Sequence, residues 1–211
     1  MKNNSEYADI INKTKLTYNY QFENFGVSPK GVFWQSILTQ ESRFKTLIKA
    51  INKKDQEGST TITDFGCGYG ALYNFIKDKP FMKHSSYKGY DIVPSMIKKA
   101  KDNFPNIDFI ISEKILYPAE YTFISGTFNM AFNYSIAEWE NYIINQIKNC
   151  YKMTQKTLAF NLLFASETKI ENNLFYTSAD RISSICKENF GESIIVKTPG
   201  AQKDLTVFIS R

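Results

Sequence analysis

Three glycines at alternate positions behind a carboxylate, in Asp64-Phe65-Gly66-Cys67-Gly68-Tyr69-Gly70, are the residues of this 211-residue chain best suited to hold a ligand. Without a Cβ, glycine turns easily at φ > 0 and lets the backbone touch a bound group. The preceding Thr60-Thr61-Ile62-Thr63 is β-branched and predicts a strand ending at the acid. After the loop, Leu72, Phe75 and Ile76 share one face of a predicted helix whose N-terminus would point at the bound group. A second acid, Asp91, stands 21 residues beyond Gly70, at the end of the short predicted strand Tyr87-Lys88-Gly89-Tyr90. The combination reads as a nucleotide cradle.

Two cofactor classes use such a loop. Gly66-Cys67-Gly68-Tyr69-Gly70-Ala71 satisfies the dinucleotide fingerprint with Ala in the third place, and Asp91 falls about where its ribose-binding acid belongs. Asp64 argues against that reading, because a carboxylate two residues before the first glycine has little use beside a negative pyrophosphate. A cofactor with a cationic amino-acid end would welcome it. Asp-x-Gly-x-Gly-x-Gly followed by Asp91 resembles motifs one and two of the class I S-adenosylmethionine-dependent methyltransferases. The resemblance implies cofactor contacts from Asp64, Gly66, Cys67, Gly68, Asp91 and Ile92, with Asp91 accepting from both ribose hydroxyls. Cys67 then serves as a small packing residue. The fold implied is an α/β, Rossmann-like, seven-stranded and mostly parallel sheet, with helices on both faces and an antiparallel C-terminal strand.

The acceptor side belongs after the fourth strand, since ligands of open α/β sheets bind outside the carboxyl ends of the strands. Ile124-Ser125-Gly126-Thr127-Phe128-Asn129 lacks the Asp/Asn-Pro-Pro-aromatic loop of nucleobase amino methyltransferases and the Pro-Cys of cytosine C5 enzymes. By resemblance, Ser125 and Gly126 approach the sulfonium, while Phe128, Asn129 and Tyr134 face the acceptor. Upstream, the pattern around Phe33-Trp34-Gln35-Ser36 and Gln40-Glu41-Ser42-Arg43-Phe44 is similar to that of a group of bacterial small-molecule methyltransferases. Gln40 and Arg43, three apart on a helix face, are candidates for the cofactor carboxylate. Trp34 suits core and pocket wall equally. Lys197 to Asp204 departs from the His-Asp-Tyr type of segment associated with that group, which weakens the case for a shared acceptor.

These residues need an alternating scaffold to carry them. A helix from about Ser36 to Lys53 precedes the first strand, and further strands recur near Tyr87, Phe109, Tyr121 and Leu158. Ile136, Trp139, Ile143, Ile147 and Cys150 repeat at steps of three and four and predict a helix. Ser193 to Lys197 and Leu205 to Ser210, joined by a short turn, must be antiparallel. Residues 1–211 read as one domain, with 1–35 as a candidate cap. The aromatics Tyr18, Tyr20, Phe22, Phe25 and Phe33 fit either that cap or an edge strand.

The net charge of +5 comes from 26 basic and 21 acidic residues. Short clusters such as Lys98-Lys99-Lys101 lack interleaved aromatics and read as solvated surface, so no nucleic-acid partner is expected. No apolar run approaches 18 residues and the N-terminus lacks a hydrophobic signal, so a cytoplasmic protein with no membrane contact is expected. Three widely spaced cysteines, Cys67, Cys150 and Cys186, read as free thiols without metal-ligand spacing. No catalytic base declares itself: His84 sits in a predicted surface loop, Glu138 suits a helix N-terminus, and Tyr134 remains a candidate. The leading expectation is methyl transfer from S-adenosylmethionine to an oxygen or nitrogen of a small polar metabolite. The alternatives are a nicotinamide-dependent oxidoreductase and a non-catalytic S-adenosylmethionine-binding partner protein.

Overall fold

The glycine loop hangs from the middle of a sheet. Strand β1 (Thr61–Phe65) pairs in parallel with β2 (Ser86–Asp91) on one edge and with β4 (Ala119–Ile124) on the other. β3 (Asp108–Ile111) and β5 (Thr154–Phe164) extend the parallel order to β3-β2-β1-β4-β5. β1 is thus the switch point, where chain progress reverses and ligand crevices form. The computed structural model describes residues 7–34 and 36–211.

The chain end behaves as expected. β9 (Asp204–Ser210) runs antiparallel to β5 from Ser210 opposite Thr157 to Asp204 opposite Leu163, and β8 (Ile194–Lys197) runs antiparallel along β9. These seven strands are those the sequence implies. Two more form a hairpin, β6 (Lys169–Glu171) and β7 (Leu174–Thr177). Asn172 and Asn173 at its tip have φ of 52° and 64°, the left-handed pair that a two-residue hairpin turn requires. The Asn-Asn pair between two short β-branched or aromatic runs was the available signal. Leu163 pairs with both Tyr176 and Asp204, so the hairpin and β9 occupy opposite edges of β5.

Both faces of the sheet are covered, because residues along the central strands alternate between two cores. Leu158, Phe160 and Leu162 of β5 pack with α6 (Ile136–Lys152) and α7 (Ala179–Phe190), whereas Ala159 packs in the core formed with α2 (Ile37–Leu47), α4 (Ala71–Ile76) and α5 (Pro94–Asn103). α4 (Ala71–Ile76) and α5 (Pro94–Asn103) follow β1 and β2, and Pro94 opens its helix where a missing N–H does no harm. In α6 the expected stripe is buried from Trp139 to Cys150, while Ile136 at the first turn is exposed.

The N-terminal segment corrects one reading. Residues Ala8–Phe25 form helix α1, so the alternation at Tyr18, Tyr20 and Phe22 is not a strand. Helical spacing wins because Ile11, Thr14, Tyr18 and Phe22 recur at steps of three and four along a face turned to the sheet's crevice. The helix expected at 36–53 is α2 (Ile37–Leu47), with Ser36 accepting from the Thr39 N–H as its cap. A 3-10 turn, Ile48–Ala50, ends it, and Asn52 caps a separate short helix, α3 (Lys53–Glu57).

Candidate active site

Beyond the carboxyl ends of β1, β2 and β4 lies a cavity of about 980 Å³, including its solvent-open mouth. Its floor is made by main chain. The N–H groups of Gly66 and Cys67 both donate to the Tyr90 carbonyl, at 2.8 and 3.0 Å, which ties the loop after β1 to the end of β2. Gly66 and Gly68 have φ of 80° and 55°, where an L side chain is strained. Their surroundings differ. A Cβ on Gly66 would lie 2.3 Å from Oγ1 of Thr127, but one on Gly68 would find nothing nearer than Met96 Sδ at 3.7 Å and would project into the cavity.

Asp91 holds this loop in place. One carboxylate oxygen accepts from the Gly68 N–H at 2.8 Å and the other from the Val93 N–H at 2.9 Å. Each oxygen keeps a further lone pair for a ligand hydroxyl. Burial lifts the Asp91 carboxyl above its ordinary range, and the backbone donors oppose that rise. Asp64 is more deeply placed, 2% exposed, and accepts from the Tyr87 hydroxyl at 2.6 Å. Burial pushes it up to about 7, the Tyr87 hydroxyl works against the rise, and the negative field of Asp91 adds to it. Ile92 and Cys67 complete this wall, and burial drives the Cys67 thiol well above its usual range.

Ser125 and Gly126 also line the cavity. They are held by Asn161, a residue that the motifs did not point to. Asn161 is fully buried on β5, accepts from the Gly126 N–H at 2.8 Å and donates to Ser125 Oγ at 3.2 Å. A lone Asn inside the apolar run Leu158-Ala159-Phe160-Asn161-Leu162-Leu163 was its signal, since a buried amide needs partners. Gly126 has φ of 72°, and a Cβ there would meet Trp34 Cζ2 at 2.8 Å. Trp34 therefore belongs to the pocket wall.

Gln40 reaches the cavity, buried and hydrogen-bonded to Tyr69. Arg43 does not line it. Its guanidinium lies 2.6 and 2.8 Å from the two oxygens of Asp204 on β9, and 4.0 Å over the Trp34 ring. A buried carboxylate attracts the nearest cation strongly, and burial raises Asp204 against the pull of Arg43. The guanidinium is thereby committed to the fold.

The three residues expected at the acceptor lie elsewhere. Phe128 is fully buried in the core beside Tyr142, with its carbonyl accepting from Trp139 Nε1 at 2.9 Å. The Asn129 carbonyl accepts from the Phe175 N–H, and the Ala131 N–H donates to Asn173, so the hairpin pulls this segment away from the cavity. Tyr134 donates to Asp9 of α1 and stacks on Trp139. Thr127 is the member of this segment that lines the cavity. Further wall comes from α1, through Ile11, Thr14 and Tyr18, and from Val32, Phe44, Met96, Glu113, Tyr142 and Gln146.

None of the three candidate bases, His84, Glu138 and Tyr134, lines the cavity. His84 is exposed at the end of the 3-10 turn Pro80–His84, and Glu138 completes a reciprocal cap with Ser135 at the start of α6. Among the described residues, no group of three or more His, Cys, Asp or Glu is arranged to hold a metal ion, and no helix is long and apolar enough to cross a membrane.

No family model matches the chain. It is 26% identical over 156 residues to a Mycobacterium tuberculosis protein provisionally named a methyltransferase, covering 72% of this chain and 93% of that one. Among solved structures, a Leishmania major S-adenosylmethionine-dependent methyltransferase superimposes with a TM-score of 0.67 at 12% identity, over 95% of this chain and 82% of its own. The magnesium protoporphyrin IX methyltransferase of Synechocystis PCC 6803, with S-adenosylmethionine bound, gives 0.60 at 12% identity over 100% and 99%. In fold, glycine loop and paired acids the chain is similar to the class I S-adenosylmethionine-dependent methyltransferases.

Proposed function

We propose that this protein transfers the methyl group of S-adenosylmethionine to an oxygen or nitrogen atom of a small molecule. The observation that carries the reading is the open face of Gly68, bracketed by the buried Asp64 and the half-buried Asp91: the backbone there can be approached only because no Cβ fills the space. The residues fit the cofactor. Asp64 is a buried carboxylate whose neighbours supply a hydroxyl but no cation, so an ammonium group would relieve its burial. Asp91 offers its spare lone pairs to a diol.

The bound cofactor supplies an electrophilic methyl on a positively charged sulfur. This chain's part is positioning. Asn161 fixes the Ser125–Gly126 turn, Trp34 closes against it, and α1 lays Ile11 and Tyr18 over the crevice, which keeps water from the reacting atoms. The expectation of a small-molecule acceptor is supported by the absence of base-reading loops after β4. Solved neighbours in this fold include enzymes of magnesium protoporphyrin and of plantazolicin.

Calorimetry tests this directly. S-adenosylmethionine and S-adenosylhomocysteine are expected to bind and nicotinamide dinucleotides not to; the opposite pattern would favour the oxidoreductase reading. Uptake of labelled methyl across a metabolite panel then separates an enzyme from a protein that only binds the cofactor.

A further inference from the structure

We infer that the side-chain amide of Gln146, on α6, hydrogen-bonds the 6-amino group of the cofactor's adenine at the β3 end of the cavity. The inference rests on the methyl-transfer reading and adds to it a binding residue outside the glycine loop and the two acids.

Gln146 is singled out by the partner it lacks. It is 8% exposed and lines the cavity, yet its amide makes no hydrogen bond to any described residue. Gln40, the other buried glutamine of the lining, is hydrogen-bonded to Tyr69. Buried polar groups are as a rule paired, and an amide has two donor hydrogens and an acceptor oxygen to satisfy. Those of Gln146 are left for whatever occupies the cavity. Thr14 of α1 repeats the pattern, since its Oγ1 is buried without a partner in the same lining.

The order of the strands says which part of the cofactor lies there. In the methyl-transfer reading the diol sits on Asp91 at the end of β2, and the sulfur and amino-acid end lie over β1 and β4, toward Asp64 and Gly126. Base and sulfur are carried on opposite sides of the ribose, so in the order β3-β2-β1-β4 the base runs past β2 to the end of β3. That end opens into the cavity. Ser112, directly after β3, lines it and donates its N–H to the Asp91 carbonyl at 3.0 Å, with Glu113 next in the lining. Helix α6 faces the same end through Tyr142: burial pushes its hydroxyl up, and the fields of Cys150 and Glu113 add to the rise. Gln146 follows Tyr142 by one helical turn, on the same face, and both line the cavity. An adenine presents a donor amine beside a ring-nitrogen acceptor, and a primary amide meets that edge with one acceptor and one donor at once.

Calorimetric titration of the full chain with S-adenosylhomocysteine and with its 6-deamino analogue, in which hydrogen replaces the amine, tests the inference. The unaltered protein is expected to bind the analogue about tenfold more weakly. Gln146→Leu is expected to bind S-adenosylhomocysteine about tenfold more weakly than the unaltered protein and to hold the two ligands within about threefold of each other, because the contact is then absent from both. Its Tm without ligand should be unchanged or higher, since no pairing within the fold is lost. Equal binding of the two ligands by the unaltered protein, or a variant that keeps the full preference for the amine, would overturn the assignment and leave methyl transfer standing. So would a lower ligand-free Tm or failure to fold, which would give the amide a partner in the fold. Failure of the unaltered protein to bind S-adenosylhomocysteine would instead overturn methyl transfer, and the assignment of Gln146 with it.

Discussion

The floor and the roof of the cavity are held by different kinds of bond. The floor, from Gly66 to Gly68 and from Tyr90 to Val93, is fixed by main-chain donors that find a strand-end carbonyl or the Asp91 carboxylate at 2.8 to 3.0 Å. The roof is α1, which buries Ile10 and Phe22 and makes its polar contacts through side chains nearer the surface. Tyr134 donates to Asp9, Lys13 donates to Asn133, Ser95 donates to Asn19 at 2.7 Å, and Phe22 stacks on Tyr69 at 5.9 Å. Solvent competes for such exposed polar contacts, so each stabilises less than a buried backbone bond. A preformed floor beneath a separately releasable roof suits a site that must exchange its cofactor every turnover.

The largest effect should come from filling the floor. Gly68→Val places a branched side chain where the cofactor must lie, and S-adenosylhomocysteine affinity should fall by more than about a hundredfold. The φ of 55° adds strain of about 1–3 kcal/mol, visible as a lower Tm. A variant that binds normally would remove this loop from the site.

Asp91→Ala should follow, with a loss of about tenfold to a hundredfold. It also leaves the Gly68 and Val93 N–H groups without their acceptor, so it should lower stability by about 1–3 kcal/mol even with no ligand. A thermal scan showing no change would mean that the floor does not depend on this carboxylate.

The Asp64 carboxyl gives a pH dependence. Its pKa is 3.8 as a free side chain and about 7 when buried, with Tyr87, Asp91 and Cys67 as its titratable neighbours. Between those values the folded protein holds a proton that the unfolded chain has lost. The contribution to stability is therefore complete below about pH 4 and declines as pH rises through 7. Binding has the opposite slope, because an ammonium group pairs with the ionised form. Affinity for S-adenosylhomocysteine should rise between pH 6 and 8, by no more than about tenfold per unit, and Asp64→Asn should flatten that rise. A flat profile in the unaltered protein would place the ammonium elsewhere.

The smallest effect belongs to the roof. Tyr134→Phe removes the contact with Asp9 and should speed release of S-adenosylhomocysteine roughly threefold in stopped flow, with little change in Tm. If release is unaffected while the Asp91 variant behaves as expected, α1 does not open at this end and the contrast between floor and roof fails there.

What the sequence determined was the part of the molecule built from local rules. A glycine's freedom, a β-branched run and an acid at a strand end act within a few residues, so β1, its loop, β2 and Asp91 were all legible, as was the antiparallel chain end. The same local logic placed Glu138 at a helix start and His84 on the surface. What only the tertiary structure decided were the pairings between distant side chains. Arg43 was read as a cofactor ligand from its neighbour on one helix face, but its partner Asp204 is 161 residues away. Phe128 and Asn129 were assigned to the acceptor by resemblance, yet the hairpin Lys169–Thr177 takes their backbone toward the core. Asn161 reaches Gly126 only because β4 and β5 are neighbours in register. Spacing in a sequence fixes which face of an element a residue occupies, but the partner on that face is supplied by whichever other segment the packing of the sheet brings against it.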